Sequence, residues 1–137
     1  MRSERRKYTR FLAEKNVYVA LGINFTKVGK LKDISIGGLA FEYVDYTENF
    51  VQDSSTVAIF NSLNEFYLPN LACRLIYNLA ISAENDDSQL TWQYAIYRCA
   101  IQFGDLTAEQ RKQLEFLINH YTCGTAQLYP VGAIPAK

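Results

Sequence analysis

A short string near the start of the chain has the residue types that bind phosphates. Arg5-Arg6-Lys7-Tyr8-Thr9-Arg10 places three arginines in the pattern R-R-x-x-x-R. A guanidinium group is a planar fork that can donate two parallel hydrogen bonds to one phosphate and can also stack on a purine ring. Taken alone, the string is also typical of a basic tail without structure.

A second string, Asp33-Ile34-Ser35-Ile36-Gly37-Gly38, has the pattern D-x-S-x-x-G. A carboxylate accepts two hydrogen bonds side by side, which matches the N1–H and 2-amino donors on the edge of guanine. The serine hydroxyl can donate or accept, and Gly38 lets the backbone turn and approach a ring closely. The alternative is a turn in which Asp33 and Ser35 bond only to nearby backbone N–H groups.

Catalytic and metal-binding patterns are weak. The single histidine, His120, falls near the end of a predicted helix, and there is neither a P-loop nor a G-x-G-x-x-G string. The three cysteines, Cys73, Cys99 and Cys123, are far apart and form no C-x-x-C pair, so we expect small buried thiols in a reducing compartment. These patterns predict neither an enzyme nor a metal site.

Length and composition suit one domain. The 137-residue chain is 49% hydrophobic and 20% charged, which is ordinary for a globular protein. No apolar stretch reaches the ~18 residues that a membrane helix needs, and no apolar signal-peptide core follows the charged N-terminus. We therefore expect a cytoplasmic protein without membrane insertion.

The net charge of zero hides a segregation of charge. Residues 1–32 carry nine basic and two acidic side chains, and the remaining residues carry the matching acidic excess. Such an asymmetry indicates that the N-terminal part meets something anionic, such as nucleic acid, a nucleotide, an acidic membrane face or an acidic patch of the protein itself.

Hydrophobic periodicity predicts strands first and a helix last. Alternating or β-branched stretches predict strands at residues 16–21, 28–34, 39–43, 56–60, 67–77 and 89–103. The pattern Thr107 to Gln110 is typical of a capping box, and Leu114, Leu117, Ile118 and Tyr121 lie on one face of a helix over 108–121, with Gly124 as its stop. The order predicts a small antiparallel β-barrel covered by one amphipathic helix. Its parts are a basic ligand-binding arm (1–15), the barrel with its helix (16–121) and a C-terminal tail (122–137).

Taken together, the two strings resemble a known family. R-x-x-x-R from Arg6 to Arg10, a strand, D-x-S-x-x-G from Asp33 to Gly38, further strands and a closing helix are similar to the PilZ domain, the bacterial receptor module for cyclic di-GMP (c-di-GMP). The resemblance covers about residues 4–121 and includes residues 98–106, which look like the family's last strand and the approach to its helix. Ala100 is a departure, because many members have glycine there.

The resemblance implies a six-stranded antiparallel β-barrel with a C-terminal helix, and a receptor with c-di-GMP as ligand and no cofactor. It assigns phosphate contact and guanine stacking to arginines of the arm, namely Arg5, Arg6 and Arg10. It assigns guanine binding to the second string, namely Asp33, Ser35 and Gly38.

The resemblance also suggests a mechanism. We expect the arm to be mobile without ligand, because its cations repel one another, and to close on the barrel when the dianionic ligand binds. The ordered arm would then offer a new surface to a protein partner, or alter a homodimer; members of the family act on flagellar motors, exopolysaccharide synthases and pilus machinery.

Two other function classes compete with the receptor. One is a PilZ-fold adaptor that acts by protein contact without binding nucleotide. The other is a small barrel that binds single-stranded nucleic acid through its basic arm, Tyr8 and Phe11. The nucleic-acid class leaves the acidic D-x-S-x-x-G string unexplained.

Overall fold

The computed structural model describes residues 8–22, 27–45, 55–63, 65–85 and 93–125. Within these ranges the chain forms eight strands and one helix. In chain order they are β1 (Phe11–Ala13), β2 (Val17–Leu21), β3 (Lys27–Ser35), β4 (Gly38–Asp45), β5 (Thr56–Asn61), β6 (Tyr67–Asn85), β7 (Gln93–Phe103), α1 (Ala108–His120) and β8 (Thr122–Thr125).

Six of the strands close into an antiparallel barrel. They pair in the order β2-β5-β6-β7-β4-β3, and β3 returns to pair with β2. β3 closes the ring with its first half, where Leu21 lies opposite Lys27 and Tyr18 opposite Lys30. This confirms the fold predicted from the sequence, a six-stranded antiparallel β-barrel with one helix.

The second half of β3 pairs with the N-terminal segment. Phe11 and Leu12 of β1 lie opposite Ile34 and Asp33, and β8 adds to the other side of β1. Hydrophobic periodicity predicts neither strand: β1 lies in the predicted arm and β8 in the predicted C-terminal tail. The structure thus anchors residues 11–13 beside the D-x-S-x-x-G string.

Alternation along the strands fills the barrel with apolar side chains. A hydrophobic residue at every second position faces inward, as expected for strands with one buried face. The buried set includes Val17, Val19, Leu21, Leu31, Ile34, Leu39, Phe41, Val57, Ile59, Leu71, Cys99 and Ile101.

The helix packs on this core through a narrow apolar stripe. Leu114 and Leu117 are fully buried, and Ile118 and Tyr121 pack against the core while half exposed. The predicted capping box is confirmed, because the Thr107 hydroxyl accepts from the Gln110 N–H at 3.0 Å and the Gln110 side chain accepts from the Thr107 N–H at 3.0 Å. The role predicted for Gly124 is wrong: the helix ends at His120 and Gly124 lies in β8.

β6 is longer than predicted and runs through its proline. The β5–β6 register shifts between Val57 and Ile59, opposite the stretch that contains Pro69 and Asn70. Asn70 has a φ of 59°, a left-handed conformation that asparagine tolerates better than most residues. The bulge lets the strand continue where proline cannot donate a ladder hydrogen bond.

The expectation of three buried thiols holds only in part. Cys99 is buried, Cys73 is half-buried and Cys123 is exposed, and none of the three is in a disulfide. No helix in the described ranges is long and apolar enough to cross a membrane.

Candidate functional site

A one-residue bulge in β3 aims the D-x-S-x-x-G side chains out of the barrel. Leu31 lies opposite Phe41 of β4 and both are buried, whereas the next pair is Asp33 and Ala40, so Lys32 is an extra residue. Side chains alternate between the two faces of a strand, and an inserted residue reverses the alternation after it. Asp33 and Ser35 therefore share the outer face of the sheet, while Ile34 points into the core.

The structure brings Arg10 directly to Asp33. The Arg10 Nη1 atom donates to Asp33 Oδ1 at 2.7 Å, and the two side chains are only 18% and 13% exposed. β1 makes this contact possible, because Leu12 is opposite Asp33 and Arg10 is two residues before it on the same face. The two strings, twenty-three positions apart, thus meet at one point.

Ser35 is turned toward its own loop. Its buried hydroxyl accepts from the Gly37 N–H at 3.0 Å and lies 3.4 Å from the carbonyl oxygen of Gly38. This is the serine-stabilised turn that the sequence left open as an alternative for the string. Tyr8 packs on the same turn, since a Cβ added to Gly37 would stand 2.6 Å from the tyrosine ring.

Gly38 is required by strand packing. A Cβ at this position would stand 2.3 Å from the carbonyl oxygen of Ile101 in β7. The absence of a side chain also leaves the outer face open at this point, next to Ser35.

Cross-strand pairing builds a shallow slot beside Asp33. Asp33, Ala40, Ala100 and Tyr77 lie in one row across β3, β4, β7 and β6, a width of about 14 Å at ordinary strand spacing. We call Gly38, Ala40 and Ala100 the floor of the slot. Ala40 and Ala100 are only 4% and 5% exposed although they face outward, so the longer side chains on either side stand above them.

Two arginines form the walls of the slot. On one side Arg98 donates to Glu42 Oε2, with Nη2 at 2.6 Å and Nε at 3.1 Å. On the other side Arg74 donates to Gln102 Oε1, with Nη2 at 2.7 Å and Nε at 3.0 Å. The Gln102 and Arg98 rows are four residues apart along β7, about 13 Å. Sequence patterns miss these wall residues because only strand pairing makes them neighbours of Asp33.

The groups around the slot are suited to binding. Guanidinium groups, the carboxylate of Asp33 and a small flat floor match a ligand that carries phosphates and planar bases. His120 is exposed on α1 with Nδ1 2.9 Å from the Phe116 carbonyl oxygen, and the described residues contain no cluster of three potential metal ligands. Arg5 and Arg6 lie outside the described residues.

Comparison with known proteins finds similarity in structure only. No protein-family model matches the chain, and no curated protein matches it in sequence. The PilZ domain of YcgR from Escherichia coli, solved with c-di-GMP, is 16% identical with a TM-score of 0.59, and the match covers 86% of this chain and 92% of that one.

Two longer proteins contain the same fold. The K. pneumonia MrkH–c-di-GMP complex is 17% identical with a TM-score of 0.59, over 85% of this chain and 52% of that one. YcgR of Escherichia coli in complex with c-di-GMP is 16% identical with a TM-score of 0.53, over 85% of this chain and 45% of that one. This chain therefore spans about half the length of these two proteins. The barrel, its closing helix and these three matches identify the fold of the chain as that of a PilZ-like domain.

Proposed function

We propose that this protein is a receptor for c-di-GMP and that the slot beside Asp33 is its binding surface. The observation that carries the proposal is the contact between Arg10 and Asp33, because it joins the two strings on one outward face of the barrel. The YcgR and MrkH structures of the same fold contain c-di-GMP. Because these structures are only 16% and 17% identical to this chain, they support the shared fold alone. The choice of ligand depends on the residues of this chain.

The chemistry of the face matches the ligand. c-di-GMP has two phosphates and two guanines, so it needs cations, guanine-edge acceptors and flat surfaces. Arg10 supplies a cation that can also stack on a base, and Asp33 supplies two acceptor oxygens for the N1–H and 2-amino group. The floor gives a planar ring a surface without protruding side chains.

Binding would exchange the partners of Asp33. In the structure Arg10 donates to Asp33 Oδ1. Guanine would take over the carboxylate, and the released Arg10 would turn to a phosphate or a base face. Arg5 and Arg6 would add contacts to the phosphates, as the resemblance to PilZ domains implies. Because Phe11–Ala13 already pair with β3 and β8, the movement we propose is confined to residues at and before Arg10.

The output would be a changed surface rather than a chemical reaction. Tyr8 packs against Gly37, so release of Arg10 would also alter the contact of Tyr8 with the turn. The altered surface would bind a protein partner or change the contact between two copies of the chain.

A calorimetric titration tests the proposal. We expect c-di-GMP to bind the purified protein, and GTP and cyclic di-AMP to bind far more weakly or not at all. Charged hydrogen bonds contribute about 1.5–3 kcal/mol, so Arg10→Ala should weaken binding by about ten- to hundredfold or more. Asp33→Ala should weaken binding less, or reduce the preference for guanine.

Lys112→Ala is the matched control, because it removes an exposed cation of α1. Its affinity should equal that of the unmodified protein. The proposal fails if c-di-GMP does not bind, or if Arg10→Ala binds it as tightly as the unmodified protein does.

A further inference from the structure

Three arginines stand around the slot, and they differ in how their charge is balanced. Arg10 is paired with the carboxylate of Asp33, and Arg98 with that of Glu42. The acceptor of Arg74 is Gln102, a neutral amide, and no carboxylate of the described residues forms an ion pair with Arg74. Among the described residues, the positive charge of Arg74 is therefore not offset by a paired carboxylate.

The side chain of Arg74 is already directed toward the slot. Two of its nitrogens donate to the same oxygen of Gln102, so the guanidinium leans from β6 over β7. Gln102 lies opposite Gly38, at the edge of the floor. One strand spacing of about 4.8 Å separates β7 from β4 and a second separates β4 from β3. The guanidinium thus stands across the floor from Ser35 and Asp33.

We propose that Arg74 is a further ligand-contacting residue, which binds the phosphate of c-di-GMP that lies farther from Arg10. This inference rests on the proposed function and adds to it a contact from β6, outside both sequence strings. An amide holds a guanidinium in place without neutralising it, so Arg74 can exchange a neutral acceptor for an anionic one. Arg98 would have to give up a carboxylate to make the same contact, and is the weaker candidate.

A hydrogen bond to an ionised acceptor is stronger than one between neutral groups. We therefore expect Arg74→Ala to weaken c-di-GMP binding by about tenfold or more. Arg74→Lys keeps the charge but loses the two-pronged geometry and should recover part of the affinity. The side chain of Arg74 is exposed, so none of these changes removes a core contact.

The control removes one cation that lies outside the slot. Lys112→Ala deletes an exposed charge of α1, and we expect it to change the affinity by less than about threefold. Titrations at low and high salt supply a second readout. The difference between Arg74→Ala and the unmodified protein should shrink as salt increases, because screening weakens the contact that the variant lacks.

The outcomes separate the two proposals. If the unmodified protein does not bind c-di-GMP, the receptor function fails. If c-di-GMP binds and Arg10→Ala weakens binding while Arg74→Ala does not, the receptor function stands and the role of Arg74 is refuted. Equal losses in Arg74→Ala and in Lys112→Ala would also refute it, because the effect would then not depend on where the charge lies.

Discussion

The Arg10 guanidinium lies 2.7 Å from the carboxylate of Asp33, and the two side chains are mostly covered. Removal of one partner leaves a partly buried charge without a counter-ion, so a single substitution should cost more than at an exposed pair. We expect Arg10→Ala and Asp33→Ala each to lower the free energy of unfolding by about 1–3 kcal/mol. A double-mutant cycle in urea should give a coupling of about 1 kcal/mol or more.

The Arg98–Glu42 pair provides the comparison for that cycle. Its side chains are more exposed, at 39% and 21%, so its coupling should be smaller. A coupling at Arg10–Asp33 that does not exceed the one at Arg98–Glu42 would contradict the expectation that the more buried pair contributes more to stability.

Gly38 should tolerate alanine less well than its neighbour Gly37. At Gly38 the new methyl group would meet the Ile101 carbonyl oxygen, and the two strands would have to separate. At Gly37 it would meet the Tyr8 ring, an exposed side chain that can move aside. We expect Gly38→Ala to lower the free energy of unfolding by about 1–3 kcal/mol and Gly37→Ala by less. Urea denaturation of both variants checks the order, and the reverse order would be inconsistent with the packing described.

The N-terminus of α1 should depend on Thr107. Its hydroxyl accepts from the Gln110 N–H, and the Gln110 side chain accepts from the Thr107 N–H. Loss of the hydroxyl removes the first bond and weakens the arrangement that holds the second. Thr107→Ala should lower the free energy of unfolding by about 1 kcal/mol. Thr107→Ser keeps the hydroxyl and should cost only a few tenths of that value. The capping assignment would be wrong if serine and alanine were equally destabilising.

The cysteines should differ strongly in reactivity. Burial, with a smaller contribution from nearby Cys73, raises the pKa of the Cys99 thiol to about 12. The thiolate is the reactive form, so Cys99 should resist alkylation at about pH 8 until the protein unfolds, whereas exposed Cys123 should react first. Mass spectrometry of a native alkylation time course, with Cys123→Ser as control, measures the order. Modification of Cys99 at the rate of Cys123 would contradict its burial.

Local patterns predict most of the barrel and little of its edges. The alternation at residues 17–21 and 56–60 and the helical spacing from Leu114 to Leu117 are strong because one face of each element is buried. β1 and β8 have three and four residues, too few for a period to show, and their pairing comes from strands far away in the sequence. Such strands can be recognised only in the folded chain.

Some residues of the candidate site are likewise visible in the sequence, and others are not. The strings that contain Arg10 and Asp33 are visible as residue types at fixed spacing, yet their contact depends on β1 lying beside β3. Ala40 and Arg74 carry no signal of their own. They border Asp33 and Gly38 because four strands align in one register, and register is a property of the whole sheet.

Lys32 is the extra residue of the bulge that sets the direction of the side chains after it in β3. Its deletion would leave a regular strand in which Asp33 directly follows inward-facing Leu31, so Asp33 and Ser35 would still face outward and Ile34 inward. The spacing between the two strings can therefore change by one residue at this point without turning the second string into the core. When relatives of this chain are compared, a one-residue gap at the bulge is compatible with the same outward face.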